Sequence, residues 1–196
     1  MHTPNGARLL SSVSARILTG AAALLLAGCV AKTTVDQQTA GWSINRIYSE
    51  ARDESQSGGY DRAVELYNVL EGRAAGTTLA QQAQLEKAYA QFQNTDTEEA
   101  KATLDRFIRL NPGSPGLDYA YYLKGVVSFS ENAGWLSALT KQDLIERDQK
   151  AAKESFAAFK EVVTRFPESR YASDSRHRML YIANAMSESE LAIADY

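Results

Sequence analysis

The chain has 196 residues, 44% of them hydrophobic, with 21 Lys plus Arg against 24 Asp plus Glu and a single cysteine. A formal charge of −3 excludes the basic footprint that nucleic-acid binding needs. One cysteine excludes a disulfide framework, so stability must come from packing, and the length suits one domain or a short repeat array.

The chain opens on an export pattern. Arg8 and Arg16 stand without an acidic neighbour ahead of the apolar run 17–26, which is shorter than the about 20 residues of a membrane span. Residues 26–29 then read Leu-Ala-Gly-Cys, which resembles the box of bacterial lipoprotein signals. In such signals the thiol takes a diacylglycerol, the chain is cut before the cysteine, and the new amine is acylated. Residues 1–28 are therefore read as a signal peptide and Cys29 as the lipidated residue. Losing Arg8 and Arg16 lowers the 21 basic residues to 19 against 24 acids, a formal charge of −5. Val30 stands where the lipoproteins this resembles carry an inner-membrane retention Asp, which implies the periplasmic face of the outer membrane of a Gram-negative bacterium. Residues 29–41, polar from Lys32 to Gln38, read as a flexible tether reaching about 40 Å at about 3.5 Å per residue.

From Trp42 onward the pattern is helical. Proline is scarce, Ala, Glu, Lys, Gln and Leu dominate, and apolar residues recur at spacings of three and four, which predicts an all-α domain over 42–196. The small residues Ala51, Ala88 and Gly125 lie 37 positions apart, and Ala63 and Ala100 follow the first two by 12. Tyr67 and Leu104 come four residues later, and the second unit ends in Asn111-Pro112, where proline stops a helix. Small residues let helices approach closely, and the bulky residue one turn on fills the space beside that contact. The pattern resembles the tetratricopeptide repeat and implies a right-handed superhelical solenoid of helix pairs, about three repeats with an incomplete fourth.

In the third unit Ser155, Phe159 and Pro167 keep the offsets of Ala100, Leu104 and Pro112, but Ser155 follows Gly125 by 30 residues instead of 12. Eighteen extra residues are therefore expected near 131–148. A loop of this length is functional or disordered in most proteins. It contains Trp135-Leu136, which either binds a partner or tucks against the solenoid.

No catalytic constellation, cofactor motif or metal motif is present: there is no G-x-S-x-G, no phosphate-binding glycine loop and no H-E-x-x-H. His177 stands between Arg176 and Arg178, whose charges oppose metal binding, and Glu98-Glu99 reads as a helix start. Binding is the expected activity, because stacked helix pairs present a surface lined by each unit's first helix. Those helices carry Tyr48, Arg52, Gln84, Tyr89, Phe92, Tyr119, Tyr122 and Lys124, aromatic and polar groups that suit an extended peptide or a docked helix. Packing between repeats is the alternative use of each tyrosine.

Two dense blocks carry a narrower resemblance. They are Leu104-Asp105-Arg106-Phe107-Ile108-Arg109-Leu110-Asn111-Pro112 with Asp118-Tyr119-Ala120-Tyr121-Tyr122-Leu123-Lys124-Gly125, and Phe166-Pro167-Glu168-Ser169-Arg170-Tyr171 with Asp174 and Arg178-Met179. Both resemble the BamD family, lipoprotein subunits of the β-barrel assembly machinery. The resemblance implies a non-enzymatic scaffold that docks on the periplasmic domains of the barrel-forming subunit. It also implies partnership with other assembly lipoproteins and with the C-terminal segments of unfolded outer-membrane proteins. The competing expectation is a periplasmic adaptor that recruits cell-wall hydrolases through the same kind of groove.

Three departures from the family pattern stand out. Arg73-Ala74-Ala75-Gly76 replaces an aromatic-Pro-Phe-Gly turn, and Gln149 replaces a proline after Arg147-Asp148. The family's final repeat has no counterpart before Tyr196, which predicts either a truncated chain or one that grips the barrel-forming subunit less well.

Overall fold

Each helix begins and ends where local chemistry directs it. In the computed structural model, which describes residues 34–130 and 142–194, the first long helix, α2 (Ile44–Ser57), starts at Ser43. The Ser43 hydroxyl accepts from the Arg46 amide at 3.2 Å, and Gly58 ends the helix in a left-handed conformation at φ 88°. α3 (Tyr60–Arg73) follows at once. α4 (Thr78–Gln93) is capped by Thr77, whose hydroxyl accepts from the Ala80 amide at 3.2 Å. α5 (Thr97–Leu110) carries Glu98 and Glu99 in its first turn, at the positive end of the helix dipole, and stops ahead of Pro112. α6 (Leu117–Ser130), α7 (Gln142–Arg165) and α8 (Ala172–Ala194) complete the series. Among the described residues every element is a helix, so the fold is all-α.

Two segments are organised differently from the sequence expectation. Residues 39–196 form one unit, and the described residues before it carry the one-turn α1 (Val35–Gln38), whose Gln37 amide donates to the Thr34 hydroxyl at 3.4 Å. The unit grips the chain from Thr39, three residues before Trp42, so the expected tether 29–41 is too long at its C-terminal end. Thr39 is fully buried because Arg73 donates to its carbonyl at 2.7 Å and to its hydroxyl at 3.3 Å. Trp42 is then covered by the Arg46 guanidinium, 4.2 Å from its ring centre. The expected insertion 131–148 also changes: residues 142–148 are the opening turns of α7, and the rest of it lies outside the described residues.

Within residues 39–196 each helix packs on its successor, and α4 also meets α6, bringing the first helices of adjoining pairs together. The periodic small residues lie at these contacts. Ala51, Ala63, Ala88 and Ala100 have no exposed surface, and Tyr67 and Leu104 are buried beside them. In the third pair Gly125 meets Phe159 so closely that a Cβ there would lie 2.7 Å from the ring, and the Ser155 hydroxyl donates to the Gly125 carbonyl at 2.8 Å. Between the second and third pairs Leu85, Leu104, Phe107, Leu117, Leu123 and Val127 form a continuous apolar core, with Ala88, Ala100 and Ala120 as its small members.

Candidate partner-binding face

The first helices are joined by tyrosine hydroxyls. Tyr48 on α2 donates to Glu86 Oε1 on α4 at 2.8 Å, and Tyr67, rising from α3, donates to Glu86 Oε2 at 2.7 Å. Gln82 lies one turn before Glu86, on the same side of α4, and its amide donates to Oε1 at 2.8 Å. The Arg52 guanidinium sits 5.8 Å from the centre of the Tyr48 ring. Burial first, then the hydrogen bond and charge of Glu86, pushes both tyrosine pKa values up, so these hydroxyls remain donors at neutral pH.

The same arrangement recurs between α6 and α8. Tyr122 donates to Asp174 Oδ2 at 2.8 Å, and Arg178 Nε donates to the same oxygen at 2.6 Å. Burial raises the Asp174 carboxyl, but the hydrogen bonds from Arg178 and Tyr122 outweigh it and hold the group below its ordinary value of 3.8. Tyr171 stacks on Tyr122 with ring centres 4.7 Å apart and meets Tyr119 at 5.4 Å. Beside this clasp Phe129, Asp174, His177, Arg178 and Tyr181 line a cleft, with Phe129 and Tyr181 edge to face at 5.7 Å.

The recurrence follows the repeat. Tyr122 lies 74 positions, two periods, after Tyr48. Gln82, Tyr119 and Asp174 share a second register, and Glu86, Leu123 and Arg178 a third, once the 18 extra residues of the third unit are allowed for. Twice, then, a tyrosine on one first helix grips a hydrogen-bonded i,i+4 pair on the next. At the interface between them Leu85 takes the tyrosine's register, and Tyr119 and Leu123 take the pair's. The face is thus polar at both ends and apolar in the middle. Tyr89 belongs to that middle; it is 41% exposed and lies near enough to Tyr119 to add to the rise in the Tyr119 pKa that burial begins.

The expected binding residues divide accordingly. Tyr48, Arg52, Tyr89, Tyr119 and Tyr122 fall on this face. Gln84 does not: its amide donates to Glu71 Oε1 at 2.9 Å and accepts from Asn111 at 3.4 Å, between α3 and α5. Phe92 packs against the central apolar core. Cys29 and Trp135 lie outside the described residues. Gln82, Glu86, Tyr171, Asp174 and Arg178 belong to the face but escape the sequence reading, although the i,i+4 spacing of both pairs and the two-period spacing of the tyrosines were the available signal.

Behind the face lies a buried charge network. Lys87 is only 5% exposed, and its ammonium donates to Glu71 Oε2 at 2.6 Å and to Asn68 at 3.1 Å. Arg106 donates to the other Glu71 oxygen at 2.7 Å. Burial raises the Glu71 carboxyl, but the hydrogen bond and charge of Lys87, with Gln84 and Arg106, outweigh it and hold the group below its ordinary value of 4.5. Among the described residues no group of three His, Cys, Asp or Glu side chains is placed to hold a metal ion, and no helix is long and apolar enough to cross a membrane. The side chains of the face are arranged as hydrogen-bond donors, acceptors and aromatic surface, which equips it for binding.

Comparison with known proteins places this arrangement in a family. The chain is 43% identical over 183 residues to the outer membrane protein assembly factor BamD of Neisseria meningitidis serogroup B, a match covering 92% of this chain and 68% of that protein. The protein of the same name from Neisseria gonorrhoeae is 42% identical over the same shares, and that of Vibrio cholerae is 34% identical over 78% of this chain and 63% of its own length. The family model described as YfiO, outer membrane lipoprotein, matches residues 42–196, nearly the whole helical unit. The chain therefore belongs to the YfiO family of outer membrane lipoproteins.

Proposed function

We propose that the protein is a non-enzymatic, lipid-anchored outer-membrane protein assembly factor that binds the barrel-forming subunit of the assembly complex and the C-terminal segments of unfolded outer-membrane proteins. The observation that carries this reading is the 43% identity with an assembly factor over 92% of the chain. The two-ended face supports it, since aromatic surface flanked by hydrogen-bonding groups suits extended polypeptide. Cys29 supplies the anchor. Each buried methylene contributes about 0.8 kcal/mol, so the several acyl chains of a lipoprotein hold durably where one would exchange.

Affinity purification of the tagged protein from detergent-solubilised outer membranes tests the reading. The barrel-forming subunit and other assembly lipoproteins are expected to copurify, and their reproducible absence overturns it. Crosslinking from the face is expected to capture nascent barrel proteins; capture of murein hydrolases instead supports the adaptor. Cys29→Ser is expected to release a periplasmic protein with unchanged helical content, and loss of helix would show that the lipid is part of the fold.

A further inference from the structure

We propose that Arg73 is a positioning residue: by fastening the chain at Thr39 it fixes where the lipid tether leaves the body, and so holds one edge of the body toward the outer membrane. That edge is built from the turns 74–77, 111–116 and 166–171. The role rests on the reading of Cys29 as a lipid anchor, and it adds which side of the helix array that anchor presents to the membrane.

The chemistry of the tie is specific to arginine. Arg73 is the last residue of α3, where the negative end of the helix dipole favours a cation. One guanidinium nitrogen donates to the Thr39 carbonyl at 2.7 Å and another to the Thr39 hydroxyl at 3.3 Å. A planar fork makes such a two-point grip, and the single ammonium of lysine does not. The same carbonyl accepts from the Trp42 amide at 2.9 Å, closing the turn that leads into α2, and Thr39 is left with no exposed surface. The Ser43 cap and the Arg46–Trp42 contact hold the start of α2 to itself. The fork joins the incoming chain to the second helix of the pair.

The tie belongs to a row of stitches along one edge. The Ser114 hydroxyl, in the turn before α6, donates to Gln81 in the first turn of α4 at 2.8 Å, and the Ser169 hydroxyl, in the turn before α8, donates to Asp118 in the first turn of α6 at 2.6 Å. Gln81 and Asp118 lie 37 positions apart, and Ser114 and Ser169 lie 55 apart, one period plus the 18 extra residues. One period earlier the pattern fails. Ile44 stands at the register of Gln81 and has no acceptor, and Thr77, at the register of Ser114, donates to the Ala74 carbonyl instead. The Arg73 fork closes the edge at this end, and it does so on the chain that runs back to Cys29.

Distance gives the tie its consequence. Residues 29–38 reach at most about 35 Å at about 3.5 Å per residue. The opposite edge, at 58–59 and 94–96, lies the length of a 14-residue helix away, about 20 Å. A body held at Thr39 therefore keeps the stitched edge nearer the membrane than the other.

The test uses the full lipidated chain in vesicles of phosphatidylethanolamine and phosphatidylglycerol that carry an energy-transfer acceptor on their headgroups. With Cys29 lipidated, a donor dye is placed on one introduced thiol, from Gly113→Cys at the stitched edge or Gln56→Cys at the opposite one. A Cβ at Gly113 meets no atom within 4 Å, and Gln56 is exposed. Transfer from position 113 is expected to exceed that from position 56, and Arg73→Ala is expected to abolish the difference with helical content unchanged. Arg73→Lys, which keeps the charge and loses the fork, is expected to retain only part of it. Equal transfer from both positions in the native chain, or a difference that survives Arg73→Ala, overturns the role of Arg73 and leaves the anchor reading intact. If Arg73→Ala loses helix, Thr39→Ala, which deletes only the hydroxyl contact, takes its place; it is expected to reduce the difference, and an unreduced difference overturns the role. Failure of the vesicles to retain the native chain overturns the anchor reading and this role with it.

Discussion

The junction between the first and second helix pairs and the seam inside the third pair are packed with opposite chemistry. Where α3, α4 and α5 meet, Lys87 is buried and must be neutralised by Glu71, which also takes Arg106 and Gln84. One period on, Lys124 again pairs with a carboxylate, Asp105, across α5 and α6, whereas inside the third pair, where α6 meets α7, the contact is steric: Gly125 lets the Phe159 ring lie against the backbone, and Ser155 ties down the Gly125 carbonyl. A charged contact is intolerant of losing one partner, because the other stays buried and unpaired. The glycine contact is intolerant of gaining an atom, because the core is already at close-packed density. In this chain a small residue recurs at the helix contacts while the chemistry around it varies.

Glu71→Ala carries the largest expected effect, about 3–5 kcal/mol of lost stability, because it strands the Lys87 ammonium beneath the surface. Urea denaturation measures it. Glu71→Ala combined with Lys87→Met is expected to recover most of the loss, and an additive double variant would show that the two groups do not act as a pair. Gly125→Ala comes next, at about 1–3 kcal/mol from overpacking against Phe159. Phe159→Leu in the same chain should relieve part of that cost; if it merely adds to the loss, the ring is not what the new methyl meets.

The pH dependence separates the two contacts again. Glu71 has its carboxyl pKa below the ordinary 4.5 in the folded protein, so between these values the unfolded chain binds the extra proton and stability rises with pH. The contribution of Glu71 is complete above about pH 4.5 and is lost as the pH falls through the folded value. Asp174 behaves in the same sense from its ordinary 3.8 downward. Urea midpoints between neutral and acid pH should therefore fall on acidification, and Glu71→Gln should flatten part of that fall. A slope unchanged in Glu71→Gln would assign the acid sensitivity to other carboxylates. The Gly125–Phe159 contact contains no titrating group and contributes nothing to the slope.

The comparison also explains what could be read from the residues. Ala51, Ala63, Ala88, Ala100, Gly125 and Ser155 announce the helix contacts because closeness of backbones demands small side chains at a fixed period. Glu86 and Asp174 are not legible in this way. Each acts on a tyrosine from the preceding unit, 38 and 52 positions away, and that pairing depends on the stagger of the helices, which periodicity alone does not define. Gln84 was misplaced for a related reason: two positions from Gln82 is more than half a helical turn, which turns its amide toward α3 and α5. The opening of α7 was hidden because nothing in the residues from Gln142 onward marks where an inserted loop ends and a helix begins.

The smallest expected effect is a gain, and it compares two turns one period apart. Gly58, after α2, sits at φ 88°, and Thr95, 37 positions later after α4, sits at φ 67°. A left-handed conformation costs glycine little and costs a β-branched residue roughly 1–2 kcal/mol, because Cβ crowds the following carbonyl. Thr95→Gly removes that strain but adds freedom to the unfolded chain, an opposing cost of about 0.5–1 kcal/mol. The variant is therefore expected to be more stable by up to about 1 kcal/mol, seen as a rise of a few degrees in Tm. The Thr95 hydroxyl donates to the Asn94 carbonyl at 2.5 Å, and this contact is the one local interaction the substitution deletes by design. A fall in Tm would mean that the hydroxyl contributes more than the strain costs, and that the turn after α4 is held by side-chain chemistry where the turn after α2 relies on the backbone freedom of glycine.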